Sequence, residues 1–345
     1  MKILIVKTSS LGDIIQSFSA VALIKKHDPE AEIDWVAEKP FCELLESHPS
    51  IHRVIPIEAR KWKKGVLKNR RSIGEAFSNL RKESYDLLYD LQGNIKSGLI
   101  TFFAKAKKKV GYTFSSAPEW PASLFLSKRH PVDLHAPIAQ QYLSLIQRDL
   151  NLPNNPVEWG IQLHISSEEE KWINRELREV SKPCFMICMG SQWENKKLSL
   201  PCWREFLEKL EGKFSPYFFF VWGSEKEKVE AETLQAAFPE RSRVLPRMRL
   251  PVWQRFMERM DHILTVDSGA LHLAATTSTP TFSIFGPSQA EVYGPLGKQH
   301  QTFQGSCPYG VSFDKRCPKL RTCKTGACLK GIASSFLLEN FTSID

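Results

Sequence analysis

The residue types best suited to chemistry sit in polar turns that directly follow apolar runs. Lys7-Thr8-Ser9-Ser10-Leu11-Gly12-Asp13 comes after Ile3-Leu4-Ile5-Val6 and opens a helical pattern. Free backbone N–H groups at such a helix start favour an anion, and Lys7 with the hydroxyls of Ser9 and Ser10 adds donors for phosphate or sugar oxygens. Asp13 carries two readings. In the first helical turn a carboxylate stabilises the helix dipole. The same carboxylate, kept ionised by helix-end amides, can take a proton from an attacking hydroxyl, which becomes acidic only as its new bond forms.

Val266-Asp267-Ser268-Gly269-Ala270-Leu271-His272 has the same layout of apolar run, glycine turn and helix. The amides of Ser268 and Gly269 suit a diphosphate, and Asp267 can accept from sugar hydroxyls. His272, one turn on, either donates to a phosphate oxygen or is an ordinary packed histidine. In Gly190-Ser191-Gln192-Trp193-Glu194-Asn195-Lys196-Lys197 a lysine can neutralise a departing diphosphate, and residue type alone leaves Lys196 and Lys197 both open. The acids of Trp222-Gly223-Ser224-Glu225-Lys226-Glu227 either bind hydroxyls or cap a helix. The first turn matches neither GxGxxG nor GxxxxGK[ST], so dinucleotide and P-loop chemistry are unsupported.

Such turns need strands before them and helices after. Apolar runs predict strands near 2–7, 33–38, 53–57 and 86–91, then near 184–190, 217–223, 262–267 and 280–285. Helical spacing fills the intervals, as at 11–26, 95–106, 135–150, 201–211 and 225–237. The expected fold class is α/β, with two Rossmann-like, doubly wound parallel-sheet domains facing a cleft. At 345 residues the chain exceeds what one core usually organises. Turn formers at 151–156 suggest domains at 1–155 and 156–330, with 331–345 a terminal helix returning to the first domain.

Hydrophobic residues at 42% and charged residues at 25% exclude a disordered or fibrous chain. The first apolar run is too short for a signal peptide, and no stretch approaches the ~20 residues of a membrane span, which suggests a soluble cytoplasmic protein. In that compartment the eight cysteines are reduced or metal-bound. Cys184 and Cys188 read as buried packing, whereas Cys307, Cys317, Cys323 and Cys328 read as either a structural metal site or free thiols. The net charge of +9 is concentrated at 60–109, with fourteen basic residues against four acidic ones. That segment is either a solvated face or an attractor of polyanions such as anionic lipid or a phosphorylated sugar. Helix-turn-helix, RNP and zinc-finger patterns are missing, which argues against a nucleic-acid partner.

These motifs, with Asp34-Trp35-Val36-Ala37-Glu38 and Asp90-Leu91-Gln92-Gly93-Asn94-Ile95-Lys96-Ser97, resemble the ADP-heptose:lipopolysaccharide heptosyltransferases of glycosyltransferase family 9, especially type I. The resemblance spans residues 1 to about 300. It implies a GT-B fold and an inverting, metal-independent transfer of L-glycero-D-manno-heptose from ADP-heptose to Kdo of the lipopolysaccharide inner core, with no cofactor required. It implies Asp13 as catalytic base, Lys196 at the diphosphate, Glu227 at the ribose and Met248 at the adenine. Gly190, Ser191, Asp267, Ser268, Gly269 and His272 complete the donor set. Lys7, Ser9, Ser10, Gly12, Gln92 and the basic segment Arg60, Lys61, Lys63 and Lys64 make the acceptor set, facing a lipid A–Kdo type acceptor at the inner face of the cytoplasmic membrane. Gly190-Ser191 replaces the paired threonines common in type I, and Ser268 replaces a common threonine. Two rivals are a protein heptosyltransferase of the autotransporter type, some of which hold iron on cysteines, and a non-enzymatic polyanion-binding protein.

Overall fold

A computed structural model of the chain describes residues 1–62, 64–65, 67–153 and 160–342. Lys63 and the expected domain boundary at 155/156 lie outside the described residues. The chain divides into two compact units, Met1–His164 and Ile165–Asp345.

The first unit is built on β1 (Lys2–Val6), β2 (Glu32–Glu38), β3 (Arg53–Ile57), β4 (Tyr85–Asp90), β5 (Ala106–Tyr112) and β6 (Lys128–His130). They form one parallel sheet in the order β3-β2-β1-β4-β5-β6. The second contains β7 (Cys184–Cys188), β8 (Tyr217–Val221), β9 (Ser242–Val244), β10 (His262–Val266), β11 (Thr281–Phe285) and β12 (His300–Gln304). Its order, β12-β11-β10-β7-β8-β9, is the same winding counted from β7, and again all parallel. Central strands read as unbroken apolar runs because helices cover both faces; β7, β10 and β11 are buried along their whole length.

The helical stripe expected at 11–26 forms as Leu11–Gln16 and Phe18–His27, separated at Ser17, whose hydroxyl donates to the Asp13 carbonyl at 2.6 Å. The helix expected at 95–106 stops at Phe103, and β5 begins at Ala106. The lysine triplet 107–109 is therefore strand, and much of its charge is already engaged. Lys107 pairs with Asp86 at 2.7 Å, Lys108 with Asp149 at 2.6 Å, and the Lys109 amine donates to the Phe102 carbonyl.

The C-terminal helix Ser334–Asn340 packs on the helix Leu200–Phe214 of the second unit. The reason is apolar: Leu337 and Phe341 are buried in the second unit's core, with Phe341 5.5 Å from the Phe282 ring and 5.7 Å from Phe214. No helix among the described residues is long and apolar enough to cross a membrane.

Candidate active site

In a doubly wound sheet, ligands bind beyond the carboxyl ends of the two strands at which the winding reverses direction. Those strands are β1 and β4 in the first unit, β7 and β10 in the second. The turns 190–197 and 266–272 of the second unit and the first turn of the chain fall at these points, while 222–227 follows β8, the neighbour of β7.

In the first unit one side chain joins the two strand ends. Gln92 Oε1 accepts from the N–H groups of Thr8 (3.0 Å) and Ser9 (3.1 Å) and from the Thr8 hydroxyl (3.3 Å). Beneath it, Asp90 is 1% exposed and accepts from the N–H groups of Gln92 and Gly93 and from the Ser97 hydroxyl. Burial pushes its carboxyl up to about 6, although those three bonds and nearby Lys7 oppose the shift. Lys7 is itself buried; its amine donates to the Leu91 carbonyl at 3.2 Å and lies over the Tyr142 ring. Burial lowers its pKa against the pull of Asp13 and Asp90. Glu38, at the end of β2, is met by Lys96 at 3.1 Å.

Asp13 sits half-buried at the third position of Leu11–Gln16, where its Oδ2 accepts from the Ser10 N–H (3.0 Å) and Ser10 hydroxyl (2.6 Å). The cap therefore exists, and it fixes the direction of the carboxylate. Gly12 lies in the same turn of helix, between Ser10 and Asp13. Arg60 and Lys61 lie on the short helix Ala59–Trp62 and Lys64 in the turn beyond it; Lys61 is paired with Glu58 at 2.5 Å, while Arg60 and Lys64 are exposed.

In the second unit a buried ion pair joins the strand ends. Lys196 Nζ donates to Asp267 Oδ2 at 2.5 Å, and the Ser191 hydroxyl donates to the Asp267 carbonyl at 3.4 Å. Burial alone would raise the Asp267 pKa, but the charge and hydrogen bond of Lys196, with the charge of His272, hold it below the usual carboxylate range. Lys197 is turned elsewhere, toward Glu194 (3.2 Å), Glu227 (3.6 Å) and Glu230 (4.0 Å). Of the two lysines left open by residue type, Lys196 is the one beside Asp267. Glu227 Oε2 accepts from the N–H groups of Gly223 (2.9 Å) and Ser224 (3.2 Å). Its carboxylate also packs on Gly190, where a Cβ would stand 2.7 Å from Oε1 and force the carboxylate to shift.

Ser268 caps the helix Gly269–Ala274, and its buried hydroxyl has no hydrogen-bond partner. A buried polar atom left unsatisfied marks a place where a ligand oxygen would be welcome. His272 is buried on that helix, and Met248 is half-buried in the loop after β9. The loops after β8 and β9 are joined by the Trp222 indole, which donates to the Leu245 carbonyl at 2.9 Å.

Asp90, Glu38 and Lys96 have jobs that the sequence motifs did not reveal, as supports beneath the first turn. Cys184 and Cys188 are buried, as expected, and burial raises both thiols, Cys184 to about 11. Cys307, Cys317, Cys323 and Cys328 are all half-buried free thiols. Burial, reinforced by the other three thiols, raises Cys328 to about 11, whereas the Gly326 N–H lowers Cys323. Among the described residues, no group of three or more His, Cys, Asp or Glu is placed to hold a metal ion.

A family model described as Glycosyltransferase family 9 (heptosyltransferase) matches residues 73–322. Lipopolysaccharide heptosyltransferase 1 of Pseudomonas aeruginosa is 31% identical over 323 residues, covering 92% of this chain and 87% of that protein. Among solved structures, the E. coli heptosyltransferase WaaC with ADP matches with a TM-score of 0.77 at 23% identity, covering 99% of this chain and 100% of that one. The same enzyme with ADP-2-deoxy-2-fluoro heptose matches with a TM-score of 0.76 at 23% identity, covering 98% and 99%. This likeness shows the GT-B fold class that the sequence motifs implied. On the extent of the family match and the identity to its bacterial relative, the chain belongs to glycosyltransferase family 9, the heptosyltransferases.

Proposed function

We propose that this chain moves L-glycero-D-manno-heptose from ADP-heptose to Kdo of the lipopolysaccharide inner core, with inversion, at the inner face of the cytoplasmic membrane. The carrying observation is the pairing of chemistries at the two points where the sheets reverse their winding. One holds a capped carboxylate, Asp13; the other holds a buried ammonium, Lys196, near an unpartnered hydroxyl, Ser268. The names of the relatives support the same donor and acceptor class.

In this reading the second unit binds the donor. An ammonium has three N–H groups and Asp267 takes one, so Lys196 keeps two for the diphosphate, joined by the amides of Ser268 and Gly269 and by His272. Ser191 supports that turn, Glu227 holds the ribose against Gly190, and Met248 packs on the adenine. The first unit binds the acceptor through Ser9, Ser10, Gly12 and Gln92, with Lys7 bracing the loop from below and Arg60, Lys61, Lys63 and Lys64 meeting acidic groups of the lipid. The acceptor oxygen bonds to the anomeric carbon and passes its proton to Asp13. The bond from that carbon to the diphosphate oxygen breaks, and its electron pair leaves on ADP, stabilised by Lys196.

Asp13→Asn tests the assignment by release of ADP from ADP-heptose in the presence of a Kdo-bearing lipid acceptor. Loss of the base lowers kcat by ~10²–10⁴-fold. Loss of the dipole interaction alone lowers stability by only ~0.3–1 kcal/mol and leaves kcat intact. A folded variant with wild-type turnover would falsify the role of Asp13 as base.

A further inference from the structure

The helix Ile95–Phe103 buries Ser97, Gly98, Ile100 and Thr101 and turns its other side to water. On a surface helix that outer side normally carries charge. Here it carries Ile95, Leu99, Phe102 and Phe103, between 39% and 56% exposed and spaced as one stripe. The turn Trp120–Phe125 lies directly across this helix, at an approach that only Gly98 permits: a Cβ there would meet the Phe125 ring at 2.8 Å and the Ala122 backbone at 3.0 Å. It adds Trp120, 59% exposed, and Leu124, 58% exposed, to the same apolar face. The face is ordered from beneath, since the Phe102 ring packs on Phe103 (5.1 Å) and on Phe125 (5.6 Å).

The rim is basic. Lys105 is exposed just beyond the helix, and the Lys109 amine closes its C-terminus on the Phe102 carbonyl. Arg129 stacks over Phe114, a ring 47% exposed. On the opposite side Phe103 touches Phe77 (4.7 Å), which touches Trp62 (6.3 Å) at the segment of Arg60, Lys61 and Lys64. Glu119, a neighbouring acid, is engaged by the Ile95 N–H at 2.8 Å.

We infer that this face docks onto an anionic lipid bilayer, with the six apolar side chains entering the headgroup boundary and the basic rim meeting lipid phosphates. An exposed tryptophan beside phenylalanines and leucines, bordered by Lys and Arg, is the chemistry of an interfacial anchor. A second copy of the chain fits less well, because a two-fold contact would set one basic rim against another. The inference deepens the proposed function, on which it rests for a lipid-borne acceptor, by naming the surface that brings the enzyme to that lipid.

Sedimentation with phosphatidylcholine vesicles, with and without phosphatidylglycerol, tests it in the absence of any sugar substrate. The expected result is binding that requires phosphatidylglycerol, weakens with salt and falls by more than about tenfold in Leu99→Gln/Trp120→Ser/Leu124→Ser. ADP release with a detergent-soluble acceptor stays at the wild-type level in that variant, which separates this inference from the catalytic reading. Should the triple variant lose its fold by circular dichroism, Trp120→Phe decides: quenching of tryptophan fluorescence by brominated lipid drops if Trp120 enters the bilayer. Three outcomes overturn the inference: no wild-type binding to phosphatidylglycerol vesicles, unchanged binding of a folded triple variant, or unchanged quenching in Trp120→Phe.

Discussion

Gly190→Ala isolates the shape of the proposed donor site around Glu227 from its charge. A Cβ at this position would stand 2.7 Å from Glu227 Oε1, 2.8 Å from Cδ and 2.9 Å from Oε2, whereas ordinary contact begins at 3.4 Å. The carboxylate must therefore withdraw by roughly 0.7 Å, the shortfall between 2.7 Å and 3.4 Å. A free glutamate would yield at little cost, but this one is pinned by the Gly223 and Ser224 N–H groups and faces Lys197 at 3.6 Å. Hydrogen bonds to a charged group contribute ~1.5–3 kcal/mol each, so stretching both forfeits about 1–2 kcal/mol. If Glu227 holds the ribose, KM for ADP-heptose rises by about 5–30-fold while kcat changes little. Because Glu227 also completes the capping box of Glu225–Gln235, Tm falls by ~2–8 °C. Steady-state ADP release and thermal melting read both quantities. A lowered Tm with an unchanged KM would confine Glu227 to capping, and wild-type values for both would refute the argument that its position is fixed.

Lys196→Gln leaves Asp267 buried without its counter-charge, and the expected cost is ~3–5 kcal/mol by chemical denaturation. In the wild type the depressed Asp267 pKa adds stability above the unfolded carboxylate value, and this is lost as pH falls through the folded value. Once Lys196 is gone the chief opposition to burial is removed and only His272 and Ser288 still lower the pKa, so the loss of stability on acidification should shrink or reverse; an unchanged slope would contradict the pairing. Asp149→Asn removes a buried carboxylate held by Lys108 (2.6 Å), Lys128 (3.0 Å) and His130 (3.2 Å). Burial opposes its charge, but these partners prevail and keep its pKa low, so the wild type loses this stabilisation only in acid. The lysines are partly exposed, which limits the cost in urea unfolding to roughly 2–3 kcal/mol. Asp90 behaves oppositely: its carboxyl, raised to about 6, adds stability as pH falls from there toward 3.8, and a carboxyl ¹³C titration should place its midpoint near 6.

Strands inside each sheet were legible where burial on both faces demands unbroken apolar runs, as in Ile3-Leu4-Ile5-Val6 and Phe218-Phe219-Phe220-Val221. The strands that escaped notice, β5, β6, β9 and β12, lie at or next to a sheet edge. β5 carries a lysine triplet of which Lys107 and Lys108 find acids and Lys109 a backbone carbonyl, β6 and β9 have three residues each, and β12 reads His-Gln-Thr-Phe-Gln with alternate residues exposed. The turns that carry Asp13, Lys196 and Asp267 could be recognised because polar residues following an apolar run have few structural reasons to be there. What no local pattern carries is the joining of distant turns. Gln92 reaches Thr8 across 84 residues, and Lys196 reaches Asp267 across 71. The close packing at Gly190 likewise depends on a carboxylate at 227. The apolar residues of the terminal helix specify burial without specifying a host, so its packing on Leu200–Phe214 could not be read locally.

The burial of Leu337 and Phe341 among Phe185, Phe206 and Phe282 fixes an order of maturation during synthesis. The first unit has all of its strands once residue 130 has left the ribosome, and can consolidate while translation continues. The second must wait, with a phenylalanine-rich interior open to chaperones and proteases, until residue 341 emerges to seal it. Nascent chains stalled before that point should therefore be protease-resistant in their first half and digestible in their second.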